Sequence, residues 1–361
     1  MNIKQEIKSL TGIRGIAAVW VVLFHYFVQH SHFITNKTLI TFFSYGHDAV
    51  YIFFILSAFV MCLAYQNTFS KNINRNMYIT FMKKRFARIY PTYLFWIAVF
   101  CLLFKRFDAL TLISNMLLLQ NLIHYDYNAL GVSWSLSCEW MVYFIFPFLF
   151  MFSWKFRNSI WVNIISILLA FVFIEYLHEV KNYYIAANGI QYFNPNIYPG
   201  VSGSSSIVRC ILFYWVGISG FSLINITVIQ QLFSKISIYT LMLPIVLLAC
   251  FEGTGMGIVF LSLLLIMKLY QERSVDKGFF YSSIVFFLGK ISFSLYMCHM
   301  VILFFISVVI KKIMPLQFVN YHHIIIIVSF LISILAAYLS YYFLENKASK
   351  RLKKLILRAR K

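Results

Sequence analysis

Charge is scarce in this chain, and acidic charge is the scarcest. Only 12% of its 361 residues are Asp, Glu, Lys or Arg, and 11 residues in all are acidic. A soluble domain carries about a quarter charged residues. With 61% of residues hydrophobic, one soluble core cannot hide the apolar mass, because a folded domain of this size needs a mostly polar shell. Cysteine is sparse as well. Cys62, Cys101, Cys138, Cys210, Cys250 and Cys298 lie in or beside apolar runs, with no two close in sequence. They read as small apolar residues and supply neither a disulfide framework nor a metal site. The chain lacks an internal repeat, a low-complexity block and a Gly-rich phosphate loop, which excludes solenoids and P-loop nucleotide hydrolases.

What the chain does have is apolar runs of membrane length. A spanning helix needs roughly 20 mostly apolar residues. Runs of this kind occupy 11–29, 48–66, 89–104, 132–152, 159–177, 206–223, 236–252, 255–270, 283–309 and 322–344. A further apolar stretch, 109–123, is short and holds Asn115, Gln120 and Asn121, so it is expected to be interfacial or re-entrant. The first run contains Arg14 and His25 and lacks a small-residue cleavage site, so it is expected to be a retained helix, not a signal peptide. The fold class expected is all-α, a polytopic membrane protein of about ten transmembrane helices. The Gly/Ser/Pro-rich loop at about 178–205 is expected to act as a lid or connector.

The net charge of +20 orients such a chain. Ten spans put both termini on one side. If that side is the cytoplasm, only Lys37, Lys105, Arg106, Lys181, Arg209, Lys311 and Lys312 of the 31 Lys and Arg fall outside. Lys and Arg accumulate in cytoplasmic loops, so both termini are expected there. The positive charge then serves topology and attraction to anionic lipid, and nucleic acid is not an expected partner. Residues 1–345 are expected to form the transmembrane domain. Residues 346–361, with a basic face and a few Leu and Ile, are expected to form an amphipathic tail on the inner leaflet.

Polar groups inside the spans are the candidate site, since a charge at the bilayer centre costs about 2.5–3.5 kcal/mol on insertion scales. Arg14 and His25 are eleven residues apart on the first helix. At about 100° per residue this spacing overshoots three turns by about 20°, so both share one face, roughly 16 Å apart along the axis. That suits an anion anchor at a cytoplasmic mouth and a base deep inside; a topological anchor and a packing histidine are the plainer readings. Arg85 and Arg88, in KKRFARIYP, are helical neighbours that can grip one polyphosphate with two planar forks of donors, or serve topology alone. Glu139, in GVSWSLSCEW, is costly unless paired; it can orient His25 as the third member of a hydrolase triad does, or form a structural ion pair. Asp48 is either a carboxylate at a helix N-terminus or another partner for His25. His299, in SFSLYMCHM, reads more readily as a hydrogen-bonded packing histidine than as a catalytic group.

Taken together, these motifs resemble the acyltransferase-3 family of integral membrane acyltransferases, which O-acylate bacterial surface polysaccharides. The resemblance rests on the order and spacing of LTGIRGIAAVWVVLFHY, GHDAVYIFFILSAFVM, the Arg85-x-x-Arg88 pair followed by IYP, GVSWSLSCEW and LGKISFSLYMCH. The chain departs from the family at Leu56-Ser57-Ala58-Phe59, where members often have Gly in place of Ala58. It also departs at Tyr51, where many carry an acid, and after His299, where Met300 and Val301 replace a frequent Pro. The resemblance implies ten helices with both termini inside and cytoplasmic acyl-CoA, usually acetyl-CoA, as donor. It implies that His25 and Arg14 are needed for transfer and that Arg85 and Arg88 lie at the donor end. The acceptor implied is a hydroxyl of an envelope glycan or lipid-linked sugar, and the location is the bacterial inner membrane. No metal is called for. A transporter or flippase for a lipid-linked glycan is the competing class, against which no inverted repeat is seen.

Overall fold

The computed structural model describes residues 6–29, 36–104, 107–123, 128–187, 203–274, 277–313 and 322–358, and every regular element in them is helical. Most of the loop expected as a lid lies outside the described residues. The first half comprises α1 (Lys8–Gln29), α2 (Lys37–Ser44), α3 (Ala49–Phe69), α4 (Arg75–Leu103), α5 (Ala109–Met116), α6 (Gln120–Ile123) and α7 (Trp134–Trp154). The second half comprises α8 (Ile160–Ala187), α9 (Ser204–Ile224), α10 (Thr227–Ser234), α11 (Ile238–Leu248), α12 (Gly255–Gln271), α13 (Ser283–Ile313), α14 (His322–Ser340) and α15 (Ser349–Arg358). A π-helical segment, Tyr341–Ala348, joins the last two.

The protein is an all-α polytopic membrane protein. Among the described residues, eight stretches are long and apolar enough to cross a bilayer, formed by α1, α2 with α3, α4, α7, α8, α9, α13, and α14 with α15. The runs at 236–252 and 255–270 form shorter helices. Pro244 sits inside α11, which is only 11 residues long, and α10 and α11 meet at a 77° bend. α12 has 17 residues, a length of about 25 Å at 1.5 Å per residue, just short of a usual bilayer core. Counting the bent pair as one broken span gives nine.

The short apolar stretch 109–123, with its Asn and Gln, makes no span. It breaks into α5 and α6 at Leu118, whose φ is 58°. Asp108 caps α5 by accepting from the Thr111 amide at 2.8 Å. The buried polar groups of this break bond to neighbouring helices: Tyr93 donates to the Asn115 carbonyl at 2.8 Å, and Ser137 to the Leu118 carbonyl at 2.8 Å. With no water to satisfy them in an apolar interior, these backbone groups must find such partners.

The contact that matters most for the site is between α1 and α13. At Gly15 the two backbones approach so closely that a Cβ would stand 2.5 Å from the Gly289 amide nitrogen. Small residues permit this approach, and it is the usual way membrane helices gain packing energy in a solvent as apolar as their side chains. Ten residues further along each helix, His25 meets His299. The two helices therefore run side by side in the same direction and in register. Tyr26 fastens the far end, bonding to the His299 carbonyl at 3.2 Å and to Ser333 Oγ of α14 at 2.7 Å. A second seam of the same kind places Gly217 of α9 against Ile55 and Ala58 of α3.

Gly15→Val forces these backbones apart. Overpacking of this kind costs about 1–3 kcal/mol. The expected outcome is a lower thermal midpoint of the detergent-purified protein and loss of any activity that needs His25 and His299 together. An unchanged midpoint would show that the seam does not hold the helices.

Candidate active site

α4 begins as a capped helix, with Asn74 accepting from the Met77 amide at 2.8 Å, and this fixes the phase of KKRFARIYP. Arg85 and Arg88, one turn apart, both turn to a cavity that also receives Arg14 from α1, Ser57 from α3 and Glu139 from α7. Its free volume is about 130 Å³, room for several waters or a short acyl chain. Of the residues expected to form the site, Arg14, Arg85, Arg88 and Glu139 thus share one space.

Three cations around one cavity repel, and what offsets them is visible. Glu139 Oε1 accepts from Ser57 Oγ at 2.5 Å, Tyr143 OH at 2.7 Å and Tyr214 OH at 2.8 Å. Such bonding is what permits a carboxylate to persist among apolar helices. Arg14 lies within electrostatic reach of both Arg88 and Glu139. Arg85 donates to Tyr65 OH at 3.2 Å, and its guanidinium carbon stands 5.5 to 5.8 Å from the ring centres of Tyr65, Phe81 and Tyr143. Aromatic faces attract a cation without neutralising it. The Arg85 Nε is buried and has no hydrogen-bond partner among the described residues. A second carboxylate, Glu345, sits on the π-helical segment, accepts from Ser294 Oγ at 2.6 Å and feels both Arg88 and Arg14.

His25 lies apart from this cavity. Among the described residues the cavity extends to Ser135, Tyr296 and Met297 and stops there. Tyr296 closes that end, its hydroxyl 2.7 Å from Ser135 Oγ and 3.0 Å from the Val132 carbonyl, with Phe53 edge-on at 6.2 Å. One helical turn beyond, His299 stands 5.9 Å from Tyr296 between ring centres, and His25 Nδ1 lies 3.3 Å from His299 Nε2. Arg14 thus lines this cavity and His25 does not, with Tyr296 on α13 between the lining and His299.

The structure brings neither expected carboxylate to His25. Among the described contacts, Glu139 is engaged by hydroxyls, and Asp48 pairs with His47, Oδ1 to Nε2, at 3.0 Å. Phe24 stands between His47 and His25, its ring 5.6 Å from one and 4.8 Å from the other. The physical reason is that His25 Nδ1, the nitrogen an orienting acid would need, is already committed to the Val21 carbonyl at 2.9 Å and to His299. Sequence reasoning missed the hydroxyls of Tyr143 and Tyr214 and the acid of Glu345, and placed His299 with the packing residues. Glu345 alone left a trace, as an acidic residue just past the last apolar run.

The acyltransferase domain model matches residues 7–343, nearly the whole chain. The chain belongs to the acyltransferase-3 family. Acyltransferase MdmB of Streptomyces mycarofaciens is 29% identical over 157 residues, which is 39% of this chain and 38% of that protein. The chain thus matches well under half the length of this relative. No solved structure matches. The family match covers α1, α4, α7 and α13 together, so Arg14, His25, Arg85, Arg88, Glu139 and His299 fall within it, while Glu345 lies just past its end.

Glu139→Leu would take the carboxylate acceptor from three hydroxyls, those of Tyr143 and Tyr214 buried, and remove one of the counter-charges of Arg14. Orphaning buried donors costs about 1–3 kcal/mol each. The expected result is a clearly lower thermal midpoint in detergent, with Glu139→Gln, which keeps one acceptor oxygen, falling between. Equal midpoints for wild type and Glu139→Leu would remove the carboxylate from its proposed place in the balance of charge.

Proposed function

We propose that this protein transfers an acyl group, acetyl in the first instance, from acyl-CoA on the cytoplasmic side to a hydroxyl of an envelope glycan or lipid-linked sugar on the outer side. The observation that carries the proposal is the buried, unpartnered Arg85 Nε beside Arg14 and Arg88. A guanidinium presents a fixed fork of donors that matches phosphate geometry. Three of them around a small cavity suit the phosphates of a donor whose nucleotide stays outside while its thioester arm enters. Arg14 and His25 share helix α1 with a separation of roughly 16 Å, the order of length of an extended pantetheine arm.

His25 acts as general base. It takes the proton of the acceptor hydroxyl while that oxygen attacks the thioester carbonyl; the C–O bond forms and the C–S bond breaks. The proton then passes to the leaving CoA thiolate. Glu139 balances the arginines and holds the hydroxyl cluster, and Asp48 holds His47 at the outer end of α3. To reach His25 the acyl end passes Tyr296.

With α12 counted as a short span beside the eight long stretches and the bent pair, ten crossings put both termini on one side, and the distribution of Lys and Arg supports that side being the cytoplasmic face of a bacterial inner membrane. Lys83 of α4 donates to the Ile356 carbonyl of α15 at 2.8 Å, and Ser349 Oγ bonds to the Ala87 carbonyl. The described part of the basic tail, 346–358, thus docks beside the arginine pair, on the side expected to face the cytosol. Anionic lipid there would meet both.

The test uses the full chain in liposomes with radiolabelled acetyl-CoA and a lipid-linked oligosaccharide. An acyltransferase releases free CoA thiol and labels the acceptor, whereas a transporter releases no thiol. His25→Ala should lower the rate about 10²–10⁴-fold, the usual contribution of a positioned base. Arg88→Ala should raise the KM for acetyl-CoA about tenfold or more, from loss of a charge-assisted bond worth about 1.5–3 kcal/mol. Undiminished thiol release by His25→Ala would refute the base.

A further inference from the structure

The hydrogens on the two imidazoles follow from what surrounds them. His299 is fully buried, with 0% exposure. Its Nδ1 lies 2.9 Å from the Tyr296 carbonyl oxygen and 3.2 Å from that of Leu295. A carbonyl oxygen only accepts, so the nitrogen facing it carries the hydrogen. His25 Nδ1 faces the Val21 carbonyl at 2.9 Å and carries a hydrogen for the same reason. These two assignments decide the third contact. The same His25 Nδ1–H, shared between the Val21 carbonyl and His299 Nε2 at 3.3 Å, meets a bare lone pair on His299, whose hydrogen is on Nδ1. A cationic His299 would set N–H against N–H there. The network therefore leaves His25 Nε2 as the bare nitrogen of its ring.

We infer that His299 is the positioning residue for His25. It receives the Nδ1–H of His25, fixes the ring's orientation, and supports the imidazolium that forms when Nε2 takes a proton. The inference rests on the reading of His25 as the base. The proton moves from the acceptor hydroxyl to His25 Nε2, and then to the thiolate freed when the thioester breaks; His299 neither gains nor loses one. As the charge appears on His25, its hydrogen bonds to Val21 and His299 become charge-assisted and strengthen. A second imidazole in this role has a physical advantage over an acid. A neutral acceptor beside the base avoids the cost of burying an ionised carboxylate among apolar helices. It also supplies no counter-ion to hold the proton back, which eases its delivery to sulfur.

The rest of the fold fixes His299 in place. Tyr26, the residue after His25, bonds to the His299 carbonyl, and the glycine seam keeps α1 and α13 in register. A one-residue slip of either helix would separate the rings.

Two substitutions separate positioning from packing. His299→Asn keeps an amide near the Leu295 and Tyr296 carbonyls but stops short of His25. His299→Gln carries its amide to the level of Nε2, where its oxygen accepts from His25 Nδ1–H. Both are measured with acetyl-CoA and a membrane glycolipid extract as acceptor, at equal amounts of folded protein. His299→Asn should lower kcat about 10- to 100-fold with the KM for acetyl-CoA within about twofold, below the larger loss seen when a base or its charged partner is removed. His299→Gln should recover to within about fivefold of wild type. The assignment is overturned by a wild-type rate in His299→Asn, by a change confined to KM, or by a His299→Gln chain that fails to fold or stays as slow as His299→Asn. Full activity in His25→Ala would instead overturn the base reading itself, and a dead His25→Ala beside an active His299→Asn would strike only His299.

Discussion

The site depends on the close parallel contact between α1 and α13. Arg14 is one residue from Gly15, and His25 is ten residues beyond it; Ser292, Tyr296 and His299 stand at matching heights past Gly289. With glycine at the crossing, the two backbones touch, and everything polar on these helices is registered by that contact. A wider crossing would leave room for either ring to turn away. Membrane helices have no hydrophobic force between them, so side-chain fit and close approach must do this work.

The second constraint is electrostatic. Arg14, Arg85 and Arg88 converge on a space of about 130 Å³, and the carboxylates near them, Glu139 and Glu345, are each bound by hydroxyls. The outcome is a cavity with surplus positive charge and acids already occupied by neighbours. Had Glu139 paired directly with Arg85 in a fork, the donors of that guanidinium would already be taken and closed to an anion. Instead, Tyr65, Phe81 and Tyr143 steady Arg85 through their ring faces and leave its Nε unused. The surplus is what gives an anionic donor something to neutralise.

Much of this was legible in the sequence, for specific reasons. The long spans show themselves as uninterrupted apolar length. Arg85 and Arg88 announce a shared face because three residues nearly complete one helical turn. Glu139 stands out because charge in an apolar run is costly. What the sequence hid is equally specific. The halves of the His25–His299 pair are 274 residues apart, and no local pattern joins them. Tyr143 and Tyr214 look like ordinary aromatic residues in apolar helices until their hydroxyls are seen on Glu139. The two shorter helices, α11 and α12, look like full spans in the sequence because apolar character runs on past the end of α11 at Leu248 and because α12 falls only just short of bilayer length. An acid for His25 was sought among Glu139 and Asp48 because triads usually supply one; the Val21 carbonyl and a second imidazole fill that position here.

The separation of the arginine cavity from His25 then has a chemical consequence on the proposed reading. A thioester bound in a cytoplasm-facing cavity beside a free base would be exposed to attack by water. Excluding water from a reacting centre prevents that side reaction and strengthens the polar interactions inside. Tyr296 stands where such a partition is needed, tethered to Ser135 and the Val132 carbonyl on α7 and its approach, and stacked edge-on by Phe53. Its tethers are hydrogen bonds of ordinary length, each worth about 1 kcal/mol net, so the ring can be displaced by a bound arm without unfolding anything around it. His299 lies one turn further along the same helix. Displacing Tyr296 along α13 therefore opens the path toward the imidazole pair, while the glycine seam below keeps that pair in register.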